Sequence, residues 1–179
     1  MMLPKPGSRP NGFTLVELLI VVIILSILAA IVVPQFSSST SDAKYASLDS
    51  NLSTLRSAVE LYYQQHGSYP SATASSGGTP PTGGSAGTGA AGSAQALIDQ
   101  LTMYTNASGQ AATNSDTSYK YGPYLKKGIP QEPFSSSAAV EISTAGLLGM
   151  TATGGTNAGW KFDNKTGQLI ANTTTLQAR

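Results

Sequence analysis

The chain contains no cysteine, so no disulfide staples it and no thiolate metal site exists in it. Its single histidine, His66, stands at a predicted helix end, where a capping role fits better than a catalytic one. Acids are scarce as well. Nine Asp and Glu are spread over 179 residues, and Glu132 and Glu141 fall in separate segments rather than forming a catalytic pair. Serine is abundant, yet no Gly-x-Ser-x-Gly elbow occurs. These gaps argue against an enzyme. Lys and Arg number only 10, for a formal net charge of +1, which gives no electrostatic footprint for nucleic acid. Asn-x-Ser/Thr triplets begin at Asn51, Asn106, Asn164 and Asn172, as chance supplies in a Ser/Thr-rich chain.

What the chain does have is a 21-residue apolar run, 13–33, with Glu17 as its only charge. At 1.5 Å per residue such a helix extends about 31 Å, close to a bilayer core of about 30 Å. A carboxylate inside a span costs roughly 2.5–3.5 kcal/mol on insertion scales and by default marks function. Lys5 and Arg9 make residues 1–12 basic, leaving 8 basic against 9 acidic residues in the remainder. The positive-inside rule then puts 1–12 in the cytoplasm and everything after the run across the membrane. Gly12 at the polar-to-apolar boundary offers a protease an extended, narrow substrate, and Pro10 keeps the leader open. A conventional secretory signal is shorter and is cut after its apolar part. An uncleaved signal anchor fits the length but leaves Glu17 unexplained.

The pattern does not stop at the interface. Tyr45, Leu48, Leu52, Leu55, Val59 and Tyr62 recur at spacings of 3 and 4, a helical stripe. His66-Gly67 supplies a stop, with Pro70 beyond. One long helix over 13–65 is therefore expected, apolar all round in 13–36 and amphipathic in 37–66. Pro34 removes the backbone bond to the Ala30 carbonyl and predicts a kink there, a point that could loosen when the chain leaves lipid.

Residues 71–94 are all Ser, Ala, Thr, Gly or Pro, which predicts a flexible surface loop because so little apolar area is available to bury. Leu97, Ile98, Leu101 and Tyr104 predict a short amphipathic helix over 94–104. The variable region is thus 67–118. In the strand and turn region, 119–179, prolines punctuate 119–134, a short strand is expected at 139–142, and 159–163 and 168–172 flank the turn Asn164-Lys165-Thr166-Gly167. That hairpin would carry Trp160 and Phe162 on one face. The predicted fold is α+β, the long helix covering a small C-terminal antiparallel sheet with its 45–62 stripe.

Gly12-Phe13-Thr14-Leu15-Val16-Glu17 followed by the apolar run resembles the type IV pilin and pseudopilin superfamily, the class III prepilins. Gly67-Ser68-Tyr69-Pro70, Gly122-Pro123-Tyr124-Leu125 and Ile129-Pro130 are similar to segments of the major pseudopilin of type II secretion. The resemblance implies that a prepilin peptidase cuts between Gly12 and Phe13 and N-methylates Phe13. It implies an inner-membrane subunit, N-terminus cytoplasmic, that polymerises with other pseudopilins through 13–36 into an extracytoplasmic filament. A secretion ATPase and platform machinery would serve it. Phe13, Glu17 and Pro34 are then the assembly residues: a neighbour's Phe13 ammonium neutralises Glu17 and fixes the stagger. A snorkelling or self-paired carboxylate is the plainer account of Glu17. Major pseudopilins often bind calcium in a C-terminal loop. After Glu141 this chain has only Asp163, against six to eight oxygens, so no calcium and no other cofactor is expected. The alternative readings are a surface pilin for adhesion, motility or DNA uptake, and a membrane-anchored enzyme or receptor.

Overall fold

The computed structural model describes residues 12–154 and 158–174, with 32–38 described by their backbone alone. Apart from Gly12, the expected leader lies outside the described residues. The chain divides into two compact units, one ending at Ala43 and the other starting at Lys44. Helix α1, Leu15–His66, runs through both.

In the first unit the described side chains, 12–31 and 39–43, are all exposed. The backbone stays helical through Pro34. The side chains of 32–38 lie outside the description, and the expected kink with them. Ser26, a polar residue inside the apolar run, satisfies its hydroxyl on the Val22 carbonyl at 2.6 Å, the one-turn back-bond open to a helical serine.

In the second unit α1 buries the stripe read from the sequence. Leu48, Leu52, Leu55, Val59 and Tyr62 are core residues, with Tyr45 packed at the edge of the cluster. Each such side chain contributes roughly 1.5–3 kcal/mol when fully buried. The helix ends where glycine takes over. Gly67, at φ 68°, turns its N–H back to the Tyr63 carbonyl at 2.8 Å, a left-handed stop that a residue with a Cβ adopts at a cost. His66 is the last residue of the helix, at its basic end.

The stripe faces a three-stranded sheet of β3 (Val140–Ser143), β4 (Trp160–Asp163) and β5 (Leu169–Ala171), ordered β3-β4-β5. Trp160 and Phe162 are fully buried on its inner face, as strand alternation requires. The β4–β5 hairpin is antiparallel as expected, pairing Trp160 with Ala171. The sheet as a whole is mixed rather than antiparallel, because β3 pairs parallel to β4, Val140 opposite Trp160. Parallel neighbours need a crossover of a dozen or more residues, and 144–159 supply it.

Between helix and sheet, α2 (Ala94–Thr102) adds Leu97 and Leu101 to the core. It is shorter than the sequence suggested, because Tyr104–Thr105 leave it to form β1 against β2 (Ala111–Ala112). The segment 71–94 is not the flexible loop its composition predicted. Asp99 Oδ2 accepts from the Ser75 hydroxyl at 2.7 Å and the N–H groups of Thr88 and Gly89 at 2.8 and 3.2 Å, while Gln95 donates to Oδ1 at 2.7 Å. The Gln100 side chain accepts from Ser71 N–H at 2.6 Å and donates to the carbonyls of Thr73 and Gly109 at 3.1 and 2.8 Å. Asp99 and Gln100 are both buried. Gly89 lies so close to Gln95 and Ala96 that a Cβ would collide with their backbone. Short side chains and bare amides, poor at making a core, are what a buried carboxylate and amide need around them.

Candidate assembly and processing site

The first turn of α1 is built around Glu17. Thr14 precedes the helix and serves as its N-cap: the Thr14 hydroxyl accepts from Glu17 N–H at 3.2 Å. In return, Thr14 N–H donates to Glu17 Oε2 at 2.9 Å, and the Thr14 hydroxyl reaches the same oxygen at 2.7 Å. This is a reciprocal capping box, Thr-x-x-Glu, which satisfies amides that the helix start leaves without partners. Within one copy of the chain, then, Glu17 is paired with its own residue Thr14. The self-paired account of Glu17 lacked a partner, and the Thr-x-x-Glu spacing Thr14-Leu15-Val16-Glu17 supplies it.

Around that carboxylate the surface is hydrocarbon. Phe13 is 76 % and Leu15 81 % exposed, and the apolar side chains from Val16 to Ile31 stand about half open to solvent. Exposed apolar surface on this scale marks a protein or membrane contact. Among the described residues no helix is long and apolar enough to cross a membrane. The side chains described in the apolar run stop at Ile31, short of its end. Among the described residues nothing lies within 4 Å of a Cβ built on Gly12. Gly12 is not the helix boundary, since Thr14 fills that position.

The other candidates lie in the second unit. His66 Nε2 sits 3.0 Å from the Thr105 hydroxyl and 3.1 Å from the Tyr124 hydroxyl. Its ring stacks on Tyr62 with 4.1 Å between centroids, with the edge contact of Tyr121 at 5.0 Å. Burial lowers its pKa, which favours the neutral ring of a packing residue. Glu132 is buried and accepts from the N–H groups of Phe134 and Ser135 at 3.0 and 2.6 Å, closing its own turn. Among the described residues no three His, Asp or Glu are grouped to share a metal ion.

The family description "Prokaryotic N-terminal methylation motif" matches residues 7–33, the span that holds Gly12, Phe13 and Glu17. The type II secretion system core protein G of Pseudomonas aeruginosa is 41 % identical over 63 residues, 35 % of this chain and 44 % of that protein. The type IV pilus subunit protein TapA of Aeromonas hydrophila is 36 % identical over 80 residues, 45 % of this chain and 56 % of that protein. The match to the type II secretion system core protein G of Aeromonas hydrophila is weaker in identity, 26 %, but covers 86 % of this chain and 94 % of that protein. The chain thus spans about half the length of the curated relatives it matches at higher identity. No solved structure matches it. Motif, α+β architecture and relatives point the same way: the chain is similar, most strongly over its N-terminal part, to type IV pilins and type II secretion core proteins.

Proposed function

We propose that the chain is a pseudopilin of a type II secretion system. Its leader, 1–12, stays in the cytoplasm while residues 13–36 cross the inner membrane and 37–179 lie on the far side. A prepilin peptidase cuts between Gly12 and Phe13 and methylates the new α-amino group. A secretion ATPase and platform machinery then move the subunit from lipid into a filament whose core is the 13–36 helix, with Pro34 as the point that yields. The observation that carries this reading is the first part of α1, 15–31, apolar apart from Ser26 and Glu17 and exposed at every residue, with that one carboxylate in its first turn.

The chemistry follows from that placement. Packing copies side by side buries the Leu, Ile and Val surface, which attracts without selecting a register. It also buries Glu17, and an unpaired buried charge costs several kcal/mol. Thr14 offers Glu17 only neutral donors. The ammonium of a neighbour's Phe13 offers a charge, and one axial stagger brings the two together. Gly12 fits as a substrate residue for the peptidase, because without a side chain it presents an extended, narrow backbone.

A second reading, a surface pilin, is supported by the match to TapA over 56 % of that protein. The near full-length alignment to a secretion core protein favours the first. Intact-mass analysis of the chain from membranes with and without prepilin peptidase tests the shared step. The expected product begins at methylated Phe13 when the peptidase is present and keeps residues 1–12 when it is not. A leader retained under both conditions overturns the proposal.

A further inference from the structure

The described first part of the crossover from β3 to β4, 144–154, is fastened at three points by side chains in β4 and at the ends of β5. Gly146 N–H donates to Asp163 Oδ2 at 3.0 Å, Met150 N–H to Gln168 Oε1 at 3.0 Å, and Thr153 N–H to Asn172 Oδ1 at 2.9 Å. Lys161 alternates with Trp160 and Phe162 in β4, so it projects from the opposite face of the sheet. Its side chain is only 12 % exposed. The Lys161 ammonium donates to the Thr151 carbonyl at 3.2 Å and pairs with Glu141 Oε1 at 3.3 Å. Glu141 Oε2 accepts from the Thr153 hydroxyl at 2.6 Å and the Asn172 amide at 3.0 Å.

Resemblance to the major pseudopilins implies a calcium ion in such a C-terminal loop. The donors present do not suit one. Calcium takes six to eight oxygens, several of them carboxylate, and this corner of the sheet has two carboxylates, both engaged. Asp163 Oδ2 also accepts from the Ser143 hydroxyl at 2.8 Å, and Oδ1 accepts from the N–H groups of Lys165 and Thr166, each at 2.9 Å. Burial alone would raise the Asp163 pKa, but these donors outweigh it and hold the carboxyl at about 2. The cavity beside the crossover, about 340 Å³, is lined by Ser143, Leu147, Leu148, Met150 and Asp163, with Lys161 in its wall. A divalent ion entering it would meet a single carboxylate, Asp163, whose two oxygens already accept from protein donors, beside the Lys161 ammonium.

We infer that the crossover carries its own cation: the Lys161 ammonium, bridging Glu141 and the Thr151 carbonyl, closes the loop in place of a divalent ion and makes the chain's stability independent of calcium. Lys161 is in these terms a positioning residue for 144–153. The inference stands apart from the filament reading, since it concerns the folding of the second unit alone.

The test is thermal unfolding of the full chain in detergent, followed by the fluorescence of its one tryptophan, Trp160, next to Lys161 in β4. The wild type is expected to melt at the same temperature in EDTA and in calcium at about 2 mM, above the range in which extracellular modules bind it. Lys161→Met is expected to lower the midpoint by about 3–8 °C, and Lys161→Arg, which keeps the charge, to recover most of that. Should Lys161→Met not fold, Glu141→Gln removes the same pair and carries the same expected drop. A wild-type midpoint that rises by several degrees in calcium overturns the inference, as does a Lys161→Met or Glu141→Gln protein that melts like the wild type.

Discussion

If the proposed filament forms, Glu17 has two partners to choose between, and the choice separates folding from assembly. In the single chain it caps α1 through Thr14. A cap of this kind is worth about 0.5–2 kcal/mol, enough to tidy the first turn but not to hold the helix. A neighbour's ammonium offers far more once both groups leave water. If capping were the whole role, Thr14→Ala and Glu17→Ala would do similar harm. The expected result is asymmetric. Thr14→Ala filaments form at a yield reduced a few-fold at most, whereas Glu17→Ala subunits are inserted and cut but assemble poorly beside wild-type copies. Sheared filament yield, compared with the amount of cleaved subunit in membranes, measures both. Equal yields for the two variants would reduce Glu17 to a cap.

At the scale of elements, α1 and the β4–β5 hairpin were legible because a single period carried each of them. Leu48, Leu52, Leu55, Val59 and Tyr62 mark one helical face, and Trp160 and Phe162 one strand face. The parallel pairing of β3 was not legible, since residues 139–142 hold no trace of which edge they will join or in which direction. The wrap of 71–94 was misread for a different reason. Apolar content measures burial of hydrocarbon and says nothing of amides gathered by Asp99 and Gln100 of α2. Asp99→Ala tests that account: it leaves Thr88 N–H, Gly89 N–H and the Ser75 hydroxyl without their shared acceptor. The expected cost is about 3 kcal/mol in chemical denaturation, with faster proteolysis inside 71–94. Native-like resistance of that segment in the variant would mean that something other than Asp99 holds it.

Taken whole, the molecule keeps its core and its adhesive surface in different stretches of chain. Every buried hydrophobic side chain described lies at or beyond Leu48, and the first unit contributes none. The apolar side chains of 13–31 are instead exposed. A chain lacking residues 1–36 is therefore expected to fold with the same Trp160 environment and the same thermal midpoint within about 2 °C. It should sediment as a monomer without detergent, while the full chain requires detergent or lipid. Removing 36 residues from a protein whose core included them would cost many kcal/mol, because each large side chain lost from a core costs about 2–5. Near-ultraviolet circular dichroism, scanning fluorimetry and sedimentation velocity on the shortened and full chains decide the matter. A shortened chain that melts far lower, or aggregates as the full chain does, would show that the second unit needs the apolar helix for its own fold and that polymerisation is not that helix's sole purpose.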